Sequence, residues 1–353
     1  MTKKRTLLLS VLLVGLLLIA GCGQKQENAD NTGASEEQGT VYTAKLGTVE
    51  PVDSPKMKAM EMFRDQVAEA TDNKVQITIY PAEQLGSARE MIEATQMGAE
   101  EAVILPSSNF TGFEPNMSIL DLPFLFPSRE VCYEVVDSEV GDALLNTLED
   151  NGFVGVGWWE SGFKQLTGDF KIEGPDSYKG KKIRVMENPV LIAQFEALGA
   201  SAIPINFGEL YNALQQGVVD GQENPIASIY EMKFYEVQDY MAISDHAYLP
   251  LVLAFNKDWF NALPAEYQEA IKVESKEAAV WLRDEQKKLE TEEFIPAMEE
   301  AGITVVELDE QTRQEFADKV KDATRARLME IIDEQGKQLL QQLDQKIAEI
   351  SGK

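Results

Sequence analysis

Residues 181–190 read KKIRVMENPV and set Arg184 inside a short apolar run, between Ile183 and Val185. A guanidinium at a strand end can grip a carboxylate with two parallel hydrogen bonds, a planar geometry that an ammonium cannot reproduce. It can equally be an edge-strand arginine paired with one of the chain's many acids, an arrangement worth little. Asn188 then precedes Pro189 in the pattern of a helix N-cap followed by the first helical residue, so free N–H groups and positive potential meet at the same corner. Forty residues beyond Arg184, Asn224 stands before Pro225, where its amide can cap a helix or donate to a carboxylate. Ser107, Ser108 and Asn109 follow the apolar run AVILP, at the kind of strand end beyond which ligands of open α/β sheets bind; loop capping explains a Ser-Ser pair equally well.

Composition removes several other chemistries. The formal net charge is -28, and such a surface repels phosphate backbones, so nucleic acid is not an expected partner. His246 is the only histidine, and its neighbours in SDHAY are contiguous rather than spaced for a converging triad, which points to a structural role. With two cysteines and one histidine, zinc sites built on several such ligands are absent, and no metal or cofactor is expected. A carboxylate-only hydrolase survives this counting, because 60 Asp and Glu residues offer many pairs.

The elements that must position these residues begin after a targeting segment. Lys3, Lys4 and Arg5 precede the uncharged TLLLSVLLVGLLLIA, and IAGC closes the stretch as a lipobox does. Residues 1–21 are therefore expected to be a lipoprotein signal peptide, cut before Cys22, whose thiol carries the lipid. Residues 22–40 are polar and lack periodicity, as a flexible tether would. AKLGTV, a helix capped by Ser54 with Pro55 at its first position, and KVQITIYP form a β-α-β opening. Ser87 and Glu90 make a capping box before the next helix, and Asn206 and Glu209 are spaced as another capping pair. A second α/β series starts near GFVGVGWWESGFKQLTG, and a long charged helical stretch runs from about Pro264 to Gly302. Two such series without a repeat period imply two lobes.

Several stretches together carry a resemblance: GKKIRVMENPVLIAQFEALG, ALQQGVVDGQENP, YPAEQLGSAREMIEATQMG, LPFLF and GWWESGFKQLTG. In this order they resemble the solute-binding proteins of tripartite ATP-independent periplasmic (TRAP) transporters, the dicarboxylate- and sialic-acid-binding family, over essentially the whole mature chain. The resemblance implies a two-lobed α/β fold with a hinge and a long helix spanning both lobes. On that basis the first lobe takes 41–163 plus 250–288 and the second 164–249 plus 289–353. It implies that Arg184 forms a salt bridge with a ligand carboxylate, that Asn224 completes the grip, and that Phe207 lines the pocket. Lys164 stands where relatives commonly carry arginine. Pro106 replaces the acid of the sialic-acid binders, leaving Ser107, Ser108 and Asn109 toward the ligand's far end. Glu160 is a further candidate near the cleft, and Trp159 is read as packing.

The expectation is a lipid-anchored extracytoplasmic receptor, not an enzyme, that binds a small organic acid, a C4-dicarboxylate as the resemblance implies by default or a similar carboxylate such as a sugar acid or 2-oxo acid, and presents it to the membrane subunits of a TRAP permease. Handing the liganded form to a membrane kinase is the alternative the sequence leaves open.

Overall fold

Two strands of unusual length organise the molecule: β4 (Phe153–Gly168) and β8 (Tyr240–Asn256) run antiparallel to each other through the whole sheet. In the computed structural model, which describes residues 40–352, they join two smaller sheets into one path. The expected signal peptide, the tether and Cys22 lie outside the described residues; residues from Thr40 onward form one compact unit. The remaining strands are β1 (Tyr42–Gly47), β2 (Val75–Tyr80), β3 (Ala102–Pro106), β5 (Lys182–Val185), β6 (Ser201–Pro204), β7 (Gly221–Pro225) and β9 (Thr304–Glu307). The order is β2-β1-β3-β8-β4-β7-β5-β6, with β9 on β8.

The register shows how one sheet becomes two lobes. Residues 251–255 of β8 pair with β3, and 253–256 with the start of β4, alongside the parallel β1, β2 and β3. Its opening residues 240–243 pair instead with β9 and with the end of β4, which carries β7 and then β5 and β6. Between the halves the ladder is broken by bulges at Glu160/Gly162 and Lys164/Leu166, with Asp245 at φ 41° on the facing strand. Bulges bend and twist a strand, so this is the joint between the lobes.

Each half-sheet is covered on both faces. In the first lobe, helix Pro55–Ala70 brings Met60, Phe63 and Val67 against Leu251 and Leu253, while Phe110, Leu144 and Leu145 pack on the other side with Leu105 and Val252. In the second, Leu191, Phe195 and Phe316 cover one face and Leu214, Ile229 and Phe234 the other. The long helix does span both: Ile271, Ala278 and Leu282 of helix Ala265–Leu289 lie in the first lobe's core. After a π-helical turn at Glu290–Phe294, Phe294 and Met298 enter the second lobe's. The last helix, Glu334–Ile350, departs from its expected place in the second lobe, because Leu339, Leu340 and Leu343 pack with Leu105 and Leu144 of the first.

Local signals hold at most caps. Ser54 Oγ accepts from Met57 N at 3.0 Å, the Ser87–Glu90 box is complete, and Asn188 Oδ1 accepts from Val190 N at 2.8 Å. Asn206 differs: its side chain caps nothing, since the chain enters a 3₁₀ turn and only the backbone bond from Glu209 N to Asn206 O forms.

Candidate functional site

The carboxyl ends of the central strands open on a cleft of about 520 Å³ between the lobes. Val49 and Glu50 just after β1, and Pro106 and Asn109 at the end of β3, line it from the first lobe; Arg184, Met186, Asn206, Phe207, Asn224 and Ser228 line it from the second.

Arg184 lies on β5, which pairs with β6 and β7, and its side chain is 3 % exposed. Its Nε donates to Ile205 O at 2.9 Å; no acceptor among the described residues takes its two Nη atoms. Burial lowers its pKa to about 10, with Glu223 and Glu83 opposing the shift, so it stays cationic at neutral pH. The site thus holds a buried guanidinium oriented through Nε, with the fork end unpaired. Asn224 is the penultimate residue of β7 and also lines the cleft; its Nδ2 donates to Gln222 Oε1, and it caps no helix because Pro225 occupies the cap position. Phe207, packed edge-on against Phe234, supplies an apolar wall, and Asn109 lines the opposite lobe.

Four expected residues lie elsewhere. Lys164 is fully buried, and its Nζ is bound to Glu223 Oε1 at 2.6 Å. The other carboxylate oxygen of Glu223 receives Gln194 Nε2 at 2.8 Å and His246 Nε2 at 2.7 Å. Burial alone would raise the Glu223 pKa, but Lys164 and the His246 hydrogen bond hold it far below the usual carboxylate range. Lys164 is therefore the counter-ion of a strand carboxylate, and His246 is structural, its Nδ1 meeting Ser244 Oγ at 2.8 Å. Ser108 donates to buried Asp121, which also accepts from Asn188 Nδ2 at 2.7 Å and whose pKa burial pushes up to about 6. Ser107 is buried outside the cleft lining. Glu160 accepts from Tyr133 Oη at 3.0 Å and Tyr248 Oη at 2.8 Å at the joint, where burial raises its pKa. Lys164, Ser108 and Glu160 have their partners inside the protein because a side chain on β4 or behind β3 points into the body rather than past a strand end; the buried Ser107 hydroxyl has no partner among the described residues.

Sequence reasoning missed Glu50, Ser161, Asn206 and Ser228, all of which line the cleft. Glu50 lies just past the end of β1 and ahead of helix Pro55–Ala70, at the kind of strand end that singled out Asn109, so its position was accessible to the same logic. Its partner was not. Lys56, fully buried, sits 2.7 Å from Glu50 Oε2 and 3.1 Å from Glu231 Oε2, and reaches Ser228 Oγ at 3.2 Å. Helix Pro55–Ala70 belongs to the first lobe and helix Ile226–Glu231 to the second, so this cluster crosses the cleft. Burial would lower the Lys56 pKa, but Glu231 and Glu50 raise it above its ordinary value. With two carboxylates on one ammonium, burial leaves Glu231 raised to about 7. The lobes also meet through Asn188 Nδ2 to Thr111 Oγ1 at 2.8 Å and Gly208 N to Glu83 Oε1 at 3.1 Å.

A two-lobed α/β body around a cleft with an unpaired buried arginine has the form of a solute-binding protein. Comparison with known proteins agrees. The family model for bacterial extracellular solute-binding protein, family 7 (DctP), matches residues 46–330. The 2,3-diketo-L-gulonate-binding periplasmic protein YiaO of Escherichia coli is 34 % identical over 292 residues, covering 81 % of this chain and 87 % of YiaO. The C4-dicarboxylate-binding periplasmic protein DctP of Rhodobacter capsulatus is 34 % identical over 277 residues, covering 77 % and 81 %. A TRAP periplasmic solute-binding protein from Desulfovibrio salexigens, solved with orotic acid, superposes with a TM-score of 0.85 at 34 % identity, covering 88 % of this chain and 99 % of that one. The chain belongs to solute-binding protein family 7, the TRAP receptor family, and is a binding protein rather than an enzyme. Among the described residues no helix is long and apolar enough to cross a membrane.

Proposed function

We propose that this protein is the extracytoplasmic receptor of a TRAP transporter, that it takes up a small organic acid through a salt bridge to Arg184, and that it delivers the acid to the membrane permease. The carrying observation is the Arg184 side chain: buried, charged, fixed through Nε, and without a partner for its Nη atoms among the described residues. A buried cation left half-paired is costly, and a ligand carboxylate is the group that completes it. Asn224 beside it supports the same reading, as does the ligand chemistry of the relatives, whose names and bound molecules are a keto-sugar acid, C4-dicarboxylates and orotic acid.

The mechanism is binding coupled to lobe closure. A carboxylate held by Arg184 and Asn224 in the second lobe, with its far end against Glu50, Asn109 and Ser161 of the first, makes its full set of contacts only when the lobes are together. The ligand then favours that state by its differential affinity. The liganded form is what the permease receives. The lipobox ending at Cys22 supports a lipid tether that keeps the receptor at the outer face of the membrane.

The test is calorimetric titration with uronic, aldonic, 2-oxo and dicarboxylic acids, repeated on Arg184→Ala. Binding of at least one acid that falls a hundredfold or more in the variant is the expected result. An acid bound equally well by the variant would place the carboxylate elsewhere.

A further inference from the structure

The far side of the cleft carries charge of the opposite sign to Arg184. The charged residues lining it are Glu50, Arg89, Arg184, Glu187 and Glu209. Arg89 is exposed at the rim and already engaged, with Nε on Glu93 at 3.0 Å and Nη1 on Glu187 at 3.5 Å. Lys164, the second basic position, faces Glu223 and not the cleft. Among the described residues, a ligand therefore meets one free buried cation, Arg184, on the second lobe, and on the first a buried carboxylate, Glu50.

The cation beside Glu50 does not cancel it as seen from the cleft. Lys56 is fully buried behind Glu50 and shared with Glu231, so two carboxylates divide one ammonium. Among the described residues, the only side-chain partner of Glu50 is that ammonium at Oε2. This leaves acceptor capacity on the cleft side, next to Ser228, which itself lines the cleft and receives Lys56. A ligand hydroxyl or N–H brought there meets a carboxylate acceptor, whereas a second carboxylate meets one of its own kind in a water-poor site.

We propose that Glu50, held by Lys56, is the specificity-determining residue of the cleft. It makes the receptor select a monocarboxylate whose other end presents hydroxyl or N–H donors, over a dicarboxylate of the same length. The inference rests on the carboxylate of that ligand being held by Arg184.

Matched acids that differ only at one end test it: erythronate against meso-tartrate, and galactonate against galactarate, where a terminal CH₂OH is replaced by a carboxylate. The protein from Thr40 onward is titrated calorimetrically with all four and with succinate, as wild type, Glu50→Gln and Arg184→Ala, and thermal melts check that each variant is folded. At least one monocarboxylate should bind, at least tenfold more tightly than its dicarboxylate partner. Glu50→Gln should shrink that ratio at least tenfold, and Arg184→Ala should weaken both members. A wild type that takes either dicarboxylate or succinate as tightly as the monocarboxylates overturns the role of Glu50 without using the variant. So does a Glu50→Gln protein with an unchanged ratio, or Arg184-dependent binding of dicarboxylates alone. If no acid binds at all, the carboxylate-receptor reading falls as well.

Discussion

Replacing Arg184 by methionine separates what the arginine does for the fold from what it does for the ligand. Burial lowers its pKa from the ordinary guanidinium value to about 10, which at 1.36 kcal/mol per tenfold change disfavours the charged form in the native protein by roughly 3 kcal/mol. The base is still protonated at pH 7 in both folded and unfolded chains, so this penalty is present there in full. Against it stands the charged hydrogen bond from Nε to Ile205 O, worth about 1.5–3 kcal/mol. Methionine fills much of the same volume without charge, so the two effects nearly cancel. The apo melting temperature should stay within about 3 °C of wild type, at roughly 2 °C per kcal/mol for a body of this size. Ligand affinity should collapse, because two charge-assisted hydrogen bonds of about 1.5–3 kcal/mol each disappear, a loss of 10²-fold or more. At a ligand concentration a hundred times the wild-type Kd, wild type gains about 2.7 kcal/mol, some 5 °C, and the variant almost nothing. The assay is a pair of thermal melts, without and with ligand, plus calorimetry. An apo fall beyond about 6 °C would make Arg184 a structural residue, and a Kd within tenfold of wild type would refute its role in the cleft.

Lys164→Met should behave in the opposite way, losing about 3–5 kcal/mol because Glu223 is left as a buried carboxylate without its cation; a chemical denaturation midpoint that barely moves would contradict the pairing. The Glu231 pKa is raised from 4.5 to about 7, so the folded protein holds more protons than the unfolded chain in that window and stability should fall as pH rises from about 5 to 8, by up to about 3 kcal/mol. Asp121 acts in the same direction below about pH 6, so Glu231 is isolated as the difference between wild type and Glu231→Gln, read by melts at pH 5, 6.5 and 8; parallel curves would dismiss it. Gly162→Ala should cost about 1–3 kcal/mol, since φ there is +118° and a Cβ would lie 3.1 Å from Gln286 Nε2 and Pro225 Cβ at the joint between the lobes; an unchanged melt would mean the joint yields freely.

Much of this architecture was legible before folding. Ser54, Ser87 and Asn188 announce helix starts, and AVILP and KIRV announce buried strands, because caps and periodicity involve residues within a few positions of one another. The same reading placed Arg184, Asn109 and Asn224 at strand ends, and all three line the cleft. It went astray where hydrogen-bonding capacity was taken for availability: Ser108, Glu160 and Lys164 have the right chemistry and lie near the cleft in sequence logic, yet each is satisfied inside the protein.

What the sequence determined alone was the alternation of strands and helices and the identity of the residues at their ends. Only the tertiary structure decided how the charges were paired. Lys164 and Glu223 are 59 positions apart and Lys56 and Ser228 are 172 apart, and with 60 acids in the chain any lysine has many formal partners. Burial selects among them, because a charge removed from water must find its counter-ion in the few ångströms that packing leaves, and among the described residues the buried cation that finds none, Arg184, is left facing the cleft.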